Sequence, residues 1–370
     1  MRLLFFLSRF LTILLALATI TSTLSGYFNP GKWWVFGLAG LVYLPLFVLN
    51  IFSLLGWLFV DRRFSLVPLL ALLISMTKLT LVLQPGFSLE KETAAPKPSE
   101  KHIRVLSFNV RLFDLYNWSD SEKTRQRIFN TIEELQPDVI CFQEFFSSNH
   151  RNLDNITAIK KITGMRYSHT EFSITRLISD QYGIATFSKY PIVGKGIIKQ
   201  EKKSTNLAMY TDILTGARDT IRVFNCHLQS VRFKADDYAF MEDPVNNPGP
   251  FGKLNKTIAM LRLLKKAYTY RAEQAEAIAL KISETTSPLM VCGDFNDTPI
   301  SFTYRTIASG LNDAFVEEGH GIGATYAGPI PGLRIDYILY NDAFDLDSYN
   351  TPKKRLSDHL PLVADFKLKQ

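Results

Sequence analysis

Residues 287–299, SPLMVCGDFNDTP, run from an apolar stretch straight into two aspartates and an asparagine. The apolar part reads as a buried strand, and Gly, Asp and Asn are the residues that turn a chain sharply at a strand end. The same residue types present carboxylates to a metal and to a reacting oxygen. The octapeptide CGDFNDTP (292–299) supports both readings, and the ends of the other strands separate them.

Short strand-like runs alternate with helical stretches across 103–370. HIRVLSFNV (102–110) alternates as a strand, and DVICFQE (138–144) reads as a buried one. YGIATFSKYPIV (182–193), LAMYTDIL (207–214), IRVFNCHLQS (221–230), RIDYILY (334–340) and LPLVADFKL (360–368) continue the set. Ile128, Ile132 and Leu135 recur at helical spacing before Pro137, and residues 253–284 form one long helical pattern. Mixed strands and helices over this length indicate one α/β (α+β) domain.

Polar residues cluster at the strand ends. Asn109 follows VLSF, Glu144 follows VICFQ, His227 follows VFNC, and Asp294 and Asn296 follow LMVCG. Asp336 lies inside LRIDYIL, and Asp358 and His359 precede the last strand. Most have an ordinary structural reading: Asn109 as a turn former, Glu144 as the cap of a helix starting at Phe145, His227 as a satisfied core histidine, Asp358–His359 as a helix N-cap. Asp336, between Ile335 and Tyr337, resists one, because a carboxylate in an apolar run must be paired or bound. Together these residues describe one rim of a sheet assembled into a polar cleft.

In this order, LSFNVR, DVICFQE, YGIATFSKYPI, NCHLQS, CGDFNDTP, RIDYIL and LSDHLPLVADF resemble the endonuclease/exonuclease/phosphatase superfamily of deoxyribonuclease I-like phosphoesterases. The matching segments run from about residue 105 to 366, and the membrane segment and residues 231–281 lie outside the shared pattern. The resemblance implies a four-layer α/β (α+β) sandwich: two packed mixed β-sheets flanked by helices. It implies Glu144 as the main ligand of Mg²⁺ or Mn²⁺, with Asn109 close to metal and phosphate and Asp358 near the metal or a second metal position. Hard oxygen ligands suit such cations. Asp294 is implied to orient or deprotonate the attacking water, with Asn296 holding a phosphate oxygen. Asp336 and His359 are implied as a carboxylate–imidazole pair, and His227 as a contact to the phosphate in the transition state. The implied reaction is metal-assisted, in-line attack of water on a phosphodiester or phosphomonoester, without a phosphoenzyme. The alternative is a non-catalytic binding module that retains the fold, and the complete set of ligand and acid–base residues argues against it. Asp297 is assigned to the loop.

The first ninety residues read differently. WWVFGLAGLVYLPLFVLNIFSLLGWLFV, residues 33–60, is 28 residues without a charge, and about 20 apolar residues cross a bilayer. With the N-terminal stretch and FSLVPLLALLISMTKLTLVLQ from Phe64, this predicts about three transmembrane helices at 4–24, 34–60 and 64–84 within a membrane region 1–85. A signal peptide is the other reading of the first; Lys78 interrupts the third. Arg2, Arg9 and the DRR of 61–63 lie on one side by the positive-inside rule. The expectation is therefore a multi-pass protein, with residues 103–370 as an extracytoplasmic catalytic domain. Residues 86–102 are rich in Pro, Glu, Lys, Ser and Ala and read as a linker.

The net charge of +7 is concentrated at the N-terminus: six basic against two acidic residues up to Glu90, and 36 against 33 beyond it. That balance excludes a broad single-sign surface for nucleic acid. Cys141, Cys226 and Cys292 lack zinc spacing and read as buried core residues. Between Lys253 and Lys281 stand seven Lys/Arg against two Glu; the ordinary reading is a solvated helix face that covers the sheet, and the alternatives are contact with anionic lipid headgroups or with a nucleic-acid backbone. The substrate expected is a phosphate ester, either a lipid headgroup or nucleic acid, and no obligate protein partner is called for.

Overall fold

The computed structural model describes residues 2–86, 102–118, 123–149, 153–176, 180–199, 204–231, 237, 250–330 and 332–369. The expected linker at 86–102 lies almost wholly outside the described residues. The chain divides into two compact units. One comprises residues 84–230, 273–296 and 307–370; the other comprises 1–83, 231–272 and 297–306.

The first unit is built on twelve strands: β1 (His102–Asn109), β2 (Val139–Ser148), β3 (Tyr167–Arg176), β4 (Asp180–Ser188), β5 (Ile192–Ile197), β6 (Ala208–Leu214), β7 (Thr220–His227), β8 (Leu289–Asp294), β9 (Asn312–Asp313), β10 (Asp336–Tyr340), β11 (Phe344–Asn350) and β12 (Leu362–Leu368). They form two six-stranded mixed sheets, ordered β11-β12-β1-β2-β4-β3 and β5-β6-β7-β8-β10-β9. Each sheet has one parallel pair at its centre, β1–β2 in one and β7–β8 in the other. Side chains from both sheets interdigitate in a common core that includes Val105, Cys141, Val223, Met290, Cys292 and Ile338. All three cysteines are free and buried. The other face of the first sheet packs Leu106, Phe108, Ile140 and Phe142 with Ile128, Phe129 and Ile132 of helix Thr124–Leu135. Helix Thr124–Leu135 is amphipathic, and Gln136 ends it in the left-handed conformation one residue before Pro137.

The parallel pairs bring the C-terminal ends of β1, β2, β7 and β8 to one rim. Gln143 and Asn225 tie the sheets together just below it: the Gln143 amide donates to Asn225 Oδ1 at 2.8 Å, and Asn225 donates to the Phe142 and Ala185 carbonyls. Every amide N–H named here finds an acceptor, while Gln143 Oε1 is buried without one.

The second unit is helical. By length and composition, two of its helices suffice to cross a membrane, Arg2–Tyr27 and Tyr43–Val60. The expected continuous span 34–60 is broken at Val42 into Trp34–Leu41 and Tyr43–Val60. Pro45 explains the break: it lacks an N–H, and its ring excludes the Leu41 carbonyl, so it sits in the first turn of a new helix. The expected span 64–84 is also two pieces, Leu66–Met76 and Leu79–Val82, with Lys78 at the break. The interior of this unit combines an apolar cluster of Tyr43, Phe47, Leu72 and Ile300 with buried hydroxyls. Helix Arg2–Leu24 buries Thr12, Ala16, Thr19, Ser22 and Thr23, while Leu3, Phe6, Phe10 and Leu17 are exposed. Trp57 donates to Thr12 Oγ1 at 2.8 Å, Thr23 and Ser75 share a 2.9 Å hydrogen bond, and Arg9 pairs with Asp61.

Candidate active site

Every polar residue singled out at a strand end lies on one rim, and the arrangement converges on Asp294. Gly293 makes this possible. Its φ is +143°, and a Cβ there would stand 1.9 Å from the Cys226 carbonyl, so only glycine lets β8 press this close to β7 before Asp294. Asp294 Oδ1 then accepts from the Asn296 backbone N–H at 2.8 Å, while Oδ2 accepts from the side-chain amides of Asn296 and Asn109, both at 3.0 Å. Asn296 holds φ +53°, a left-handed conformation that asparagine tolerates, and its amide also donates to Leu228 O at 3.1 Å.

Two imidazoles flank the same carboxylate. His227 Nε2 and His359 Nε2 each lie 3.7 Å from Asp294 Oδ2. His359 Nδ1 is 3.0 Å from both oxygens of Asp336, which fixes Nε2 toward Asp294. Burial works against the charge on His359, but Asp336, Asp294 and Asp358 together outweigh it and raise its pKa well above the ordinary histidine value. Burial is the main influence on Asp294 and pushes its carboxyl up to about 6, against the opposing pull of His359 and His227.

Glu144 does not cap a helix. Strand β2 continues through it to Ser148, and the register against β4 shifts between Phe142 and Phe145, so Glu144 occupies a β-bulge at φ +46°. The bulge turns the carboxylate into the cleft, where His227 Nε2 lies 3.7 Å away. Burial and the neighbouring charge of Asp358 raise its pKa, opposed by His359, Asn109 and Arg111. About a third of the Glu144 side chain stays accessible (34%), so ions and water can still reach it. Asp358 accepts from Ser357 Oγ at 3.1 Å and lies 3.4 Å from Arg111 Nε. It does not cap a helix either, because His359 bridges Tyr326 in extended backbone.

The donor chemistry fits a divalent cation. Two carboxylates, Glu144 and Asp358, raise the energy of one another's charge in an enclosed cleft, and a hard cation relieves that excess with oxygen ligands. Asn109 stands between this pair and Asp294, since its amide serves both Glu144 and Asp294. A second trio, Asp294, Asp336 and His359, offers ligand atoms within 4.8 Å of one another. In that trio both Asp336 oxygens already face His359 Nδ1.

Asp297 has partners of its own. It accepts from Thr303 Oγ1 at 2.8 Å and from the Thr298 N–H, and it lies 3.3 Å from Arg271 Nε, both side chains being buried. Three supporting residues were not legible in sequence. Asn206 Nδ2 lies 3.1 Å from His227 Nε2, Thr325 Oγ1 accepts from the backbone N–H groups of Ile335 and Asp336, and the ring of Tyr326 meets His359 edge to face at 5.4 Å. Asn206 does precede a strand, the one signal shared with the residues that were found.

A family model described as "Endonuclease/Exonuclease/phosphatase family" matches residues 106–359. A second, described as a domain of unknown function (DUF8431), matches residues 2–81. Among solved structures, the human Nocturnin catalytic domain with bound sulfate anion is 19% identical, with TM-score 0.51 over 76% of this chain and 100% of that one. An endonuclease/exonuclease/phosphatase family protein from Bacteroides thetaiotaomicron is 16% identical, with TM-score 0.52 over 74% and 97%. A humanized D. rerio TDP2 is 15% identical, with TM-score 0.51 over 73% and 100%. At these identities the likeness is one of fold. No curated protein matches the chain.

Proposed function

The chain belongs to the endonuclease/exonuclease/phosphatase family of phosphoester hydrolases, and from that premise we propose a membrane-tethered, Mg²⁺-dependent phosphoesterase that attacks its substrate with water. The observation that carries this reading is the convergence on Asp294. A carboxylate offers about four acceptor positions, and three are filled by amides of Asn109 and Asn296. One remains for a water proton.

In this reading Asp294 takes the proton of the attacking water, and Asn296 and Asn109 hold its carboxylate in place. His359, kept cationic by Asp336, and His227 face the phosphate, where they offset charge that develops in the transition state. Glu144 and Asp358, with Asn109 beside them, would hold Mg²⁺ or Mn²⁺. When bound, such a cation neutralises phosphate oxygens and aids departure of the leaving group.

Tethering is supported by helix Arg2–Leu24, which exposes its large apolar side chains and buries hydroxyls and alanine. Leucine and phenylalanine face outward while hydroxyls and Asn50 hydrogen-bond inside, the arrangement that favours packing in lipid. Tethering in turn favours a lipid or other envelope phosphodiester as substrate. One observation favours nucleic acid instead: Tyr116 and Trp118 are exposed beside the cleft with ring centroids 5.1 Å apart, and Arg111 lies over Trp118 at 4.6 Å. Such a platform suits a base.

The full-length chain in detergent micelles, supplied with Mg²⁺ or Mn²⁺, is expected to hydrolyse bis-p-nitrophenyl phosphate, and a panel of phospholipids and oligonucleotides then ranks the two substrate classes. Asp294→Ala should lower turnover by about 10³-fold, in the range for loss of a general base. Inactivity of the wild type on every phosphate ester, with both metals, leaves only the binding-module alternative.

A further inference from the structure

Three segments of the helical unit bring charge to one point. Tyr27 follows the first apolar helix, Lys78 stands at the break between Leu66–Met76 and Leu79–Val82, and Arg305 belongs to helix Phe302–Ile307. The Arg305 guanidinium lies 4.1 Å from the Tyr27 ring centroid and the Lys78 ammonium 5.2 Å from it. The Tyr27 hydroxyl also interacts with both cations. Segment 297–306 is held to this place by close packing: Ser25 Oγ donates to the Ile300 carbonyl at 3.1 Å, and a Cβ on Gly26 would stand 2.8 Å from the same oxygen.

Two like charges gathered at one phenol repel each other, and cation–π contact offsets only part of that. The usual relief is a carboxylate, and among the described residues none pairs with Lys78 or Arg305. Among the described residues of this unit there are thirteen Lys/Arg and three Asp/Glu. Asp61 is engaged by Arg9 and Asp297 by Arg271, and among the described residues neither Lys78 nor Arg305 forms an ion pair. A phosphate oxygen satisfies such a site well, since ammonium, guanidinium and phenol all donate to it and the two charges match its own. Tyr27 is half exposed, and Trp33, exposed six residues further on, is the residue type that anchors helices at the lipid headgroup level.

We propose that Tyr27, Lys78 and Arg305 form a binding site for the phosphate of an anionic phospholipid headgroup. The proposal rests on the membrane-tethered reading above and is independent of the catalytic one. It is a structural lipid site, and none of its three residues takes part in the proposed hydrolysis.

The test uses the full chain in detergent micelles, titrated with short-chain phosphatidylglycerol, short-chain phosphatidylcholine, glycerol phosphate and inorganic phosphate, with retained lipid counted by native mass spectrometry. The wild type is expected to retain phosphatidylglycerol in preference to phosphatidylcholine. The double variant Lys78→Gln/Arg305→Gln should weaken that retention by about tenfold or more, as loss of two charge-assisted contacts predicts. The charge-conserving pair Lys78→Arg/Arg305→Lys should keep most of it, which separates loss of the site from loss of the fold. Equal retention by wild type and the Gln double variant overturns the site. Saturation by inorganic phosphate or glycerol phosphate as readily as by phosphatidylglycerol overturns its assignment to lipid. Failure of the tethered reading itself would look different, because the chain would remain monomeric without detergent.

Discussion

Asp294 and His359 are opposed in charge preference, and their environments push them in directions useful for hydrolysis. Burial lifts the Asp294 carboxyl to about 6, while the surrounding carboxylates hold His359 cationic well above the ordinary histidine value. A base must be deprotonated and the imidazolium protonated, so activity should rise as pH increases through about 6 and fall only well above neutrality. A profile of kcat/KM against pH checks this, and Asp336→Asn should move the alkaline limb down, because His359 loses the charge that most strongly supports its proton. An alkaline limb that stays in place contradicts the assigned pair. At this scale the sequence was readable where chemistry forbids an ordinary explanation. A carboxylate such as Asp336 in an apolar strand needs a partner, and the partner is His359. Asn206 was not readable, because a neutral amide before a strand has many ordinary uses, and its partner His227 is supplied by the pairing of β6 with β7.

Elements were legible where both faces of a strand are buried and obscure where they are not. β1, β2, β7, β8 and β10 have nearly continuous buried runs, and an apolar run bounded by turn residues signals such a strand. β5, IVGKGI, alternates between half-buried and exposed and carries two glycines, so little in its composition distinguishes it from a loop. The bulge at Glu144 was hidden for another reason: its left-handed backbone belongs to a residue that rarely adopts it, and only the fixed register on either side imposes it. Helix Pro250–Ser283 gives the clearest correction. Arg271 counts in sequence as one of seven basic residues on a solvated face, yet it is 1% exposed and lies against Asp297. Asp297 immediately follows Asn296, so this pair anchors the chain just beyond Asn296. Arg271→Met should lower stability by about 3–5 kcal/mol, the effect of removing one partner from a buried ion pair. Arg271→Met/Asp297→Asn should recover part of it, since no uncompensated charge remains. Thermal melts of the full chain in micelles read both. A single variant as stable as wild type would show that the pair contributes nothing.

For the whole molecule, the membrane-tethered reading proposed above makes a prediction about topology, and the helical unit carries markers at both of its ends. Arg9 pairs with Asp61 at one end, Thr23 bonds Ser75 near the other, and Tyr27 meets Lys78 there. Residues 9–27 and 61–78 therefore run side by side in the same direction, each covering about 27 Å if helical throughout, against a hydrocarbon core of about 30 Å. On length alone the third segment fails as a span, since its longer helix is only Leu66–Met76. Taken with the turns at its ends, it covers the same height as the first helix. The basic residues Arg2, Arg9, Arg62 and Arg63 gather at the Arg9–Asp61 end, which the positive-inside rule places in the cytoplasm. The chain leaves the unit from the Lys78 end, so on the membrane-tethered reading proposed above the phosphoesterase domain is expected outside the cytoplasm. Cysteine labelling decides this, because Cys141, Cys226 and Cys292 are buried and an introduced surface thiol is the reactive one. Lys161→Cys, on the exposed side of helix Asn155–Thr163, should react with a membrane-impermeant maleimide in intact cells. Arg62→Cys should react only after permeabilisation. Labelling of both positions from the same side would reduce the apolar region to a two-helix hairpin and return the phosphoesterase domain to the side of the N-terminus.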